Sequence, residues 1–309
     1  MRRMVSGASK RAPEAPAQRS SSMQQWIPER VITPERARAA IEAEFGNLSP
    51  ARVEPCGVGW DNVVYRVNDR WLFRFPQRQI AVAGVEREID CLPWISDHLD
   101  LAPRPYFAGF CDDWPFFGYL PIPGVEACDS REDRSGLVEP LAAFLKELHS
   151  PETLAALKDK LPVDPLGRLD ASRRVPRMRT LIDKLEPGSK RFEGILESLT
   201  TPTEHPCVVH GDLHFRHILV ENGLSGIIDW GDLHLNDPAI DLHLGWSFFE
   251  HEDRDRFWAA YGPISEAQAQ RARGFGLFVN LALLEYGLEE GLTSVAEEAR
   301  RSLNRVAAD

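Results

Sequence analysis

The densest cluster of titratable side chains in the chain lies between Val208 and Leu242. It reads Val208-Val209-His210-Gly211-Asp212-Leu213-His214-Phe215-Arg216-His217-Ile218-Leu219-Val220, then Gly226-Ile227-Ile228-Asp229-Trp230-Gly231-Asp232, then Asp237-Pro238-Ala239-Ile240-Asp241-Leu242. Seven of the nine histidines fall between positions 205 and 251, so the imidazoles are concentrated where the carboxylates are. Short runs of Val, Ile and Leu flank these groups. Strands of that kind end beside a dry core, where a carboxylate is held rigidly and can ligate a divalent cation. Two chemistries fit. One is phosphoryl transfer, with one carboxylate for the attacking hydroxyl and two further ligands for Mg²⁺. The other is metal-dependent hydrolysis, with His210, Asp212, His214, His217 and Asp229 gathered on zinc.

Spacing favours the first. Protein kinases carry H-R-D-x-x-x-x-N and then a D-F-G Asp on a nearby turn. Here His210-Gly211-Asp212 has the H-x-D core, and four residues separate Asp212 from His217, as in that motif. Asp229 follows the apolar pair Ile227-Ile228, so a hairpin would bring all three side chains together. The block HGDLHFRHIL, with IIDWGD and DPAIDL after it, resembles the aminoglycoside phosphotransferase family, which also includes macrolide kinases and kinases of choline-like metabolites. The resemblance covers roughly residues 50–290. It implies an α+β fold, bilobal and protein-kinase-like, with a small β-rich N-terminal lobe and a larger helical C-terminal lobe. It also implies a Mg-dependent O-phosphotransferase that moves the γ-phosphate of ATP or GTP onto a small hydroxylated molecule, such as an aminoglycoside or a macrolide.

The resemblance assigns roles residue by residue. Asp212 orients and deprotonates the acceptor hydroxyl, while His217 and Asp229 hold Mg²⁺. His210 shapes the loop and Asp241 braces it from a helix. Two positions depart from the commonest family pattern. His217 stands where Asn is usual, although Mg²⁺ prefers oxygen; the plainer role for this His is a backbone hydrogen bond. Arg74, in Trp71-Leu72-Phe73-Arg74-Phe75-Pro76, stands where Lys is usual, and it keeps the charge and can grip phosphate with two donors. Glu88 is its expected partner, from the match of Glu88-Ile89-Asp90-Cys91-Leu92-Pro93 to E-x-x-x-L-P. Gly57 and Gly59 precede a strand, not a helix, which disfavours a Rossmann turn and suits a phosphate-covering flap; a tight hairpin is the plainer reading. Tyr119 and Leu120 resemble the interlobe hinge that holds the purine. A kinase that has lost its chemistry but still binds a ligand is a further alternative.

The elements that must position these residues are legible from pattern. Residues 1–25 lack an apolar period and read as a disordered tail. Thr33 and Pro34 open a helix with a stripe of Ala37, Ala40, Ile41 and Phe45. Val63–Val67 and Trp71–Phe75 read as strands joined by a turn at Asn68-Asp69-Arg70. A helix is predicted over 81–98, and strands over 106–110 and 116–120 around Asp112-Asp113. Pro121, Pro123 and Gly124 mark the lobe boundary, which divides a nucleotide lobe over 26–120 from a catalytic and substrate lobe over 121–309. The second lobe is predicted to be helical over 136–149, 173–186, 190–199, 239–249, 253–261, 265–287 and 294–307, with one β-rich island at 207–230.

Composition closes off other classes. With 43% apolar and 27% charged residues in 309, the chain is an ordinary globular mixture, long enough for about two domains. The net charge is −11. The first 22 residues carry five basic side chains against Glu14, a net of +4, which leaves −15 on the rest. An acidic body repels nucleic acid, so no nucleic-acid partner is expected. Five cysteines without a C-x-x-C pair argue for a reducing, cytoplasmic setting. No apolar run is long enough to cross a membrane, so no membrane partner is expected. The aromatics of the last third, Phe275 and Phe278 among them, read chiefly as core.

Overall fold

The computed structural model describes residues 28–59, 61–201 and 206–308; the predicted tail and Trp60, within the glycine motif, lie outside them. Helix α1 (Pro34–Glu44) starts where its signals place it, with the Thr33 hydroxyl accepting from the Arg36 amide. Strand β1 (Val53–Val58) was not predicted as such, because Pro55 and Gly57 interrupt its pattern. It pairs antiparallel with β2 (Asn62–Val67), with a bulge at Cys56. Asn68 and Asp69, at φ 50° and 56°, then turn the chain into β3 (Trp71–Pro76). Val67 pairs with Trp71, so three residues make the connection, and left-handed Asn68 and Asp69 set its tight turn.

Helix α2 (Gln79–His98) follows, then β4 (Pro105–Cys111) and β5 (Trp114–Tyr119). The five strands form one antiparallel sheet in the order β1-β2-β3-β5-β4. Its core is aromatic: Phe73, Phe75 and Phe116 are all 1% exposed or less, and the rings of Phe75 and Phe116 stack at 4.5 Å. Gly118 lets that core close, since a Cβ there would lie 2.6 Å from the Phe73 ring.

The chain then crosses into a mainly helical part. A short β6 (Val125–Glu126) precedes α3 (Val138–Leu148), α4 (Pro151–Leu157), α5 (Ala171–Leu185) and α6 (Glu193–Ser198). Helix α4 was missed, although Ser150 caps it and Pro151 occupies its first turn. The β-rich island comprises β7 (Cys207–Val209), β8 (Ile218–Val220), β9 (Leu224–Ile227) and, beyond the predicted limit, β10 (His234–Asn236). Strands β6, β8 and β9 form one small sheet and β10 with β7 another. The segment predicted as one helix over 239–249 is two single turns, α7 (Ala239–Leu242) and α8 (Leu244–Ser247). Helices α9 (His251–Tyr261), α10 (Glu266–Glu289) and α11 (Thr293–Ala307) complete the part. Its apolar core is continuous with the inner face of α2, through Val85, Leu92 and Ile95. Helix α2 is thus the element that couples the five-stranded sheet to the helical part.

Candidate active site

The loop after β7 is fixed from beneath by one buried carboxylate. Asp241, fully buried on α7, accepts from the His210 amide at 2.7 Å and the Gly211 amide at 3.0 Å. His149, after α3, bonds the same carboxylate at 3.2 Å. Burial alone would raise the Asp241 carboxyl, but His149, His210 and the Gly211 amide outweigh it and hold the group below its ordinary range. Gly211 has φ 87°, and a Cβ there would sit 2.4 Å from the Asp232 carbonyl oxygen, so only glycine fits this turn.

The histidines divide into two kinds by what their ring nitrogens do. His210 has both engaged: Nε2 donates to the Ile228 carbonyl at 3.1 Å, and Nδ1 accepts from the Asp212 amide at 3.3 Å. It is buried and neutral, with its pKa lowered to about 4 by burial. That leaves it no lone pair for a metal, which removes one ligand from the zinc-hydrolase alternative. His217 has one nitrogen engaged, because Nδ1 lies 2.7 Å from the Asp212 carbonyl oxygen. A carbonyl only accepts, so Nδ1 carries a proton, and the lone pair of the unprotonated form of the ring stands at Nε2. That Nε2 lies 3.5 Å from Asp229 Oδ2. The plain backbone role and the ligand role of His217 therefore coexist, the first fixing the tautomer for the second. His214 stacks on His217 at 3.9 Å.

Asp212 faces this group, with its Oδ2 3.8 Å from His217 Nδ1 and 3.9 Å from His214 Nε2. Ligand atoms of Asp212, His214 and His217 all lie within 4.8 Å of one another, close enough to share a metal ion. Burial in the cleft raises the Asp212 carboxyl to about 6, against the pull of Arg168 and His217.

Asp229 heads the turn after β9 in a left-handed conformation, φ 65° and ψ 65°. A non-glycine residue held there costs about 1–3 kcal/mol and persists where its surroundings over-determine it. Here they do. Arg74 Nη2 donates to Asp229 Oδ1 at 2.6 Å, and Arg74 Nη1 to Glu88 Oε1 at 3.1 Å. The Trp230 amide donates to Glu88 as well, at 3.2 Å. Burial would raise the Asp229 carboxyl, but the Arg74 guanidinium outweighs it and holds it well below the carboxylate range. Glu88, 1% exposed on α2, is pushed by burial up to about 7 despite Arg74. Helix α2 approaches this turn closely: a Cβ on Gly84 would lie 3.1 Å from the Gly231 carbonyl oxygen, which also accepts from Arg87 at 2.5 Å.

The flap is built differently. The Gly59 amide donates to the Asn62 carbonyl at 2.9 Å and closes the β1–β2 hairpin. A Cβ on Gly57 would meet nothing within 4 Å, and one on Gly59 would make only an ordinary contact. Steric need therefore does not explain these glycines. Tyr119 ends β5, and half-buried Leu120 leads into the Pro121 segment between the two parts.

Three site neighbours escaped the sequence reading. Arg168, before α5, pairs with Asp232 and sets Nη1 3.8 Å from Asp212 Oδ1. Asn62 can turn its amide oxygen to Arg74 Nη2 at 2.8 Å. His149 is the third. Arg168 sits in no periodic or motif-like run; Asn62 closes the glycine motif and starts β2, and His149 ends the helix predicted over 136–149, so those two positions were marked but not their roles.

Comparison with known proteins places this geometry in context. The family described as "Phosphotransferase enzyme family" matches residues 52–275. The chain superposes on the GDP complex of wild-type aminoglycoside 2'-phosphotransferase-IIIa with a TM-score of 0.66 at 24% identity, covering 89% of this chain and 99% of that one. Macrolide 2'-phosphotransferase type I gives 0.56 at 21%, covering 88% and 98%. A curated relative, the uncharacterized protein YcbJ of Bacillus subtilis (strain 168), is 23% identical over 62% of this chain and 67% of its own length. The two-part architecture is the protein-kinase-like fold of these phosphotransferases, and the chain belongs to the phosphotransferase enzyme family.

Proposed function

We propose that this phosphotransferase moves the γ-phosphoryl group of ATP or GTP onto a hydroxyl of a small molecule in a Mg²⁺-dependent reaction. The aminoglycosides and macrolides named for the similar proteins are the first acceptors to consider. Residues 26–120 form the nucleotide lobe and 121–309 the catalytic and substrate lobe. Among the described residues no helix is long and apolar enough to cross a membrane; a cytoplasmic setting belongs to the proposal on the cysteine usage alone.

The observation that carries the proposal is the convergence of Asp212, His217 and Asp229 from two strand ends, with His217 Nε2 and Asp229 Oδ2 3.5 Å apart. An imidazole lone pair beside a carboxylate is a donor set that suits a divalent ion. His217 Nε2 and Asp229 would hold Mg²⁺, which when bound offsets the charge of the β- and γ-phosphates. Asp212 accepts the proton of the acceptor hydroxyl. The acceptor oxygen bonds to the γ-phosphorus, the bridging P–O bond breaks, and its electrons leave on the nucleoside diphosphate. Arg74, kept in place by Glu88, supplies a fixed cation to the phosphates. The backbone at Gly57 and Gly59 covers those phosphates, and the backbone at Tyr119 and Leu120 holds the purine. His210 and Asp241 preserve the loop. Rate acceleration comes mainly from position and charge neutralisation.

The test is Mg²⁺-dependent nucleotide turnover by the full chain, expected to collapse in Asp229→Ala. A wild-type protein that binds neither ATP nor GTP would sink the reading.

A further inference from the structure

The proposed base, Asp212, has its backbone fixed, while its carboxylate has no hydrogen bond among the described residues. Its amide donates to His210 Nδ1, and its carbonyl accepts from His217 Nδ1 at 2.7 Å. Three N–H groups face the carboxylate at longer range. His217 Nδ1 and His214 Nε2 lie 3.8 and 3.9 Å from Oδ2, and Arg168 Nη1 lies 3.8 Å from Oδ1. The His217 proton is already spent on the Asp212 carbonyl. Of the three donors, only the guanidinium is charged at every working pH.

Arg168 is itself held from two sides. Its segment, between α4 and α5, docks on β10: the Leu235 amide donates to the Pro162 carbonyl, and the Asp164 amide to the Leu235 carbonyl. The Arg168 amide donates to Asp164 Oδ1 at 2.8 Å. The residue is 8% exposed, and its Nη2 is hydrogen-bonded to Asp232 Oδ2. Asp232 is the carboxylate of the 227–232 motif that neither ligates the ion nor accepts the proton in the proposed mechanism. Its own carbonyl is tied to His234 Nδ1 at 2.6 Å. One prong of a planar fork is therefore fixed on Asp232, and that sets the place of the other. The other prong, Nη1, has no hydrogen-bond acceptor among the described residues and faces Asp212 Oδ1.

We infer that Arg168 is a positioning residue for phosphoryl transfer: anchored on Asp232, it orients the Asp212 carboxylate through Oδ1 and leaves the other lone pairs to the acceptor hydroxyl. The inference rests on the phosphotransferase reading and deepens it. At 3.8 Å the contact is an ion pair rather than a hydrogen bond, and contacts of this kind close up when a substrate binds. The acceptor hydroxyl gives its proton to Asp212 as its oxygen bonds to the γ-phosphorus; Arg168 keeps its own protons throughout. Its charge also offsets the repulsion between the carboxylates of Asp212 and Asp232 and the phosphate that approaches them.

The test is steady-state turnover of MgATP or MgGTP by the full chain, with water as acceptor, beside calorimetric binding of MgADP or MgGDP. Arg168→Gln should lower kcat about tenfold and leave nucleotide affinity within about twofold. Arg168→Lys, which keeps the charge, should recover part of the loss. In an Asp212→Asn background the same Arg168→Gln change should lower the residual kcat by less than about twofold, because the group it acts through is gone. An arginine that only tied its segment to the Asp232 turn would lower kcat alike in both backgrounds. Asp232→Asn keeps the charge and removes the anchor, so kcat should fall several-fold with nucleotide affinity unchanged; if Arg168→Gln does not fold, this variant decides alone. Equal losses in the two backgrounds, undiminished kcat in the Gln or Asn variant, or a Lys variant no better than Gln overturns the inference alone. A wild-type chain that binds neither nucleotide, or binds without Mg²⁺-dependent turnover, overturns the phosphotransferase reading and the inference with it.

Discussion

Two glycine-bearing segments carry the proposed site, and they are held in opposite ways. The loop at Gly211 is specified from inside: Asp241 fixes two of its amides, His210 spends both ring nitrogens on backbone, and a Cβ on Gly211 has no room. In the flap at Gly57 and Gly59 the Gly59 amide closes a hairpin on the Asn62 carbonyl, and among the described residues neither glycine would meet a close contact if it carried a Cβ. The proposed catalytic loop is thus preorganised, as electrostatic catalysis requires. On the proposed reading, the flap takes its shape from the nucleotide.

Paired alanine substitutions break this comparison most sharply. Gly211→Ala combines a left-handed φ with an overlap on the Asp232 carbonyl, and should cost about 3 kcal/mol or more, read as loss of folded protein in denaturant melts. Gly57→Ala should stay within about 0.5 kcal/mol of the wild type and act on the KM for nucleotide. Equal destabilisation by the two would erase the contrast.

Asp241→Ala comes next. It strands two buried amides and the His149 ring, for an expected loss of about 2–5 kcal/mol and a fall in kcat with little change in nucleotide affinity. If chemical denaturation places this variant level with the wild type, the brace is not a brace.

Two kinds of group within the helical part also differ in response to pH. Asp212 must be ionised to accept a proton, and its carboxyl is raised to about 6, so turnover should climb as pH rises through about 6 and then level. His210 and His243 are both lowered to about 4 by burial. Their folded pKa lies below the unfolded value of 6.5, so the unfolded chain binds more protons in that window. These two rings therefore contribute stability that is fully present above pH 6.5 and is lost as pH falls toward about 4, while Glu88 and Asp212, raised to about 7 and about 6, contribute in the opposite sense. An NMR titration in which either ring takes up its proton near pH 6.5 would show that these rings are not buried neutral.

The smallest effect sharpens the role of His217. Imidazole suits Mn²⁺ better than Mg²⁺, so Mn²⁺ should support turnover at several-fold lower concentration. His217→Asn should narrow that ratio in a metal titration. An unchanged ratio would leave His217 with its backbone bond alone.

How much of this could be read from sequence follows the same division. The loop and its brace were legible because Asp212, His217, Asp229 and Asp241 sit at fixed spacings in one continuous stretch, where covalent geometry does most of the positioning. Arg74 and Glu88 were legible because a strand and a helix with clear periods carry them. Arg168 and His149 were not, because tertiary packing brings them in: Arg168 reaches Asp232 across 64 positions from a segment without regular structure. Strand β1 hid behind Pro55 and Gly57, and the single turns α7 and α8 behind one continuous apolar run.

The most direct test asks whether His217 and Asp229 hold an ion beside Asp212. Histidine-labelled protein, bound to a non-hydrolysable nucleotide, is titrated with Mn²⁺ and followed by nitrogen NMR. Paramagnetic broadening falls steeply with distance, so His217 Nε2 should vanish first while the buried His243 ring stays sharp. If nucleotide and Mn²⁺ bind and the His217 signals persist unbroadened, Asp212, His217 and Asp229 do not form the metal and phosphate site.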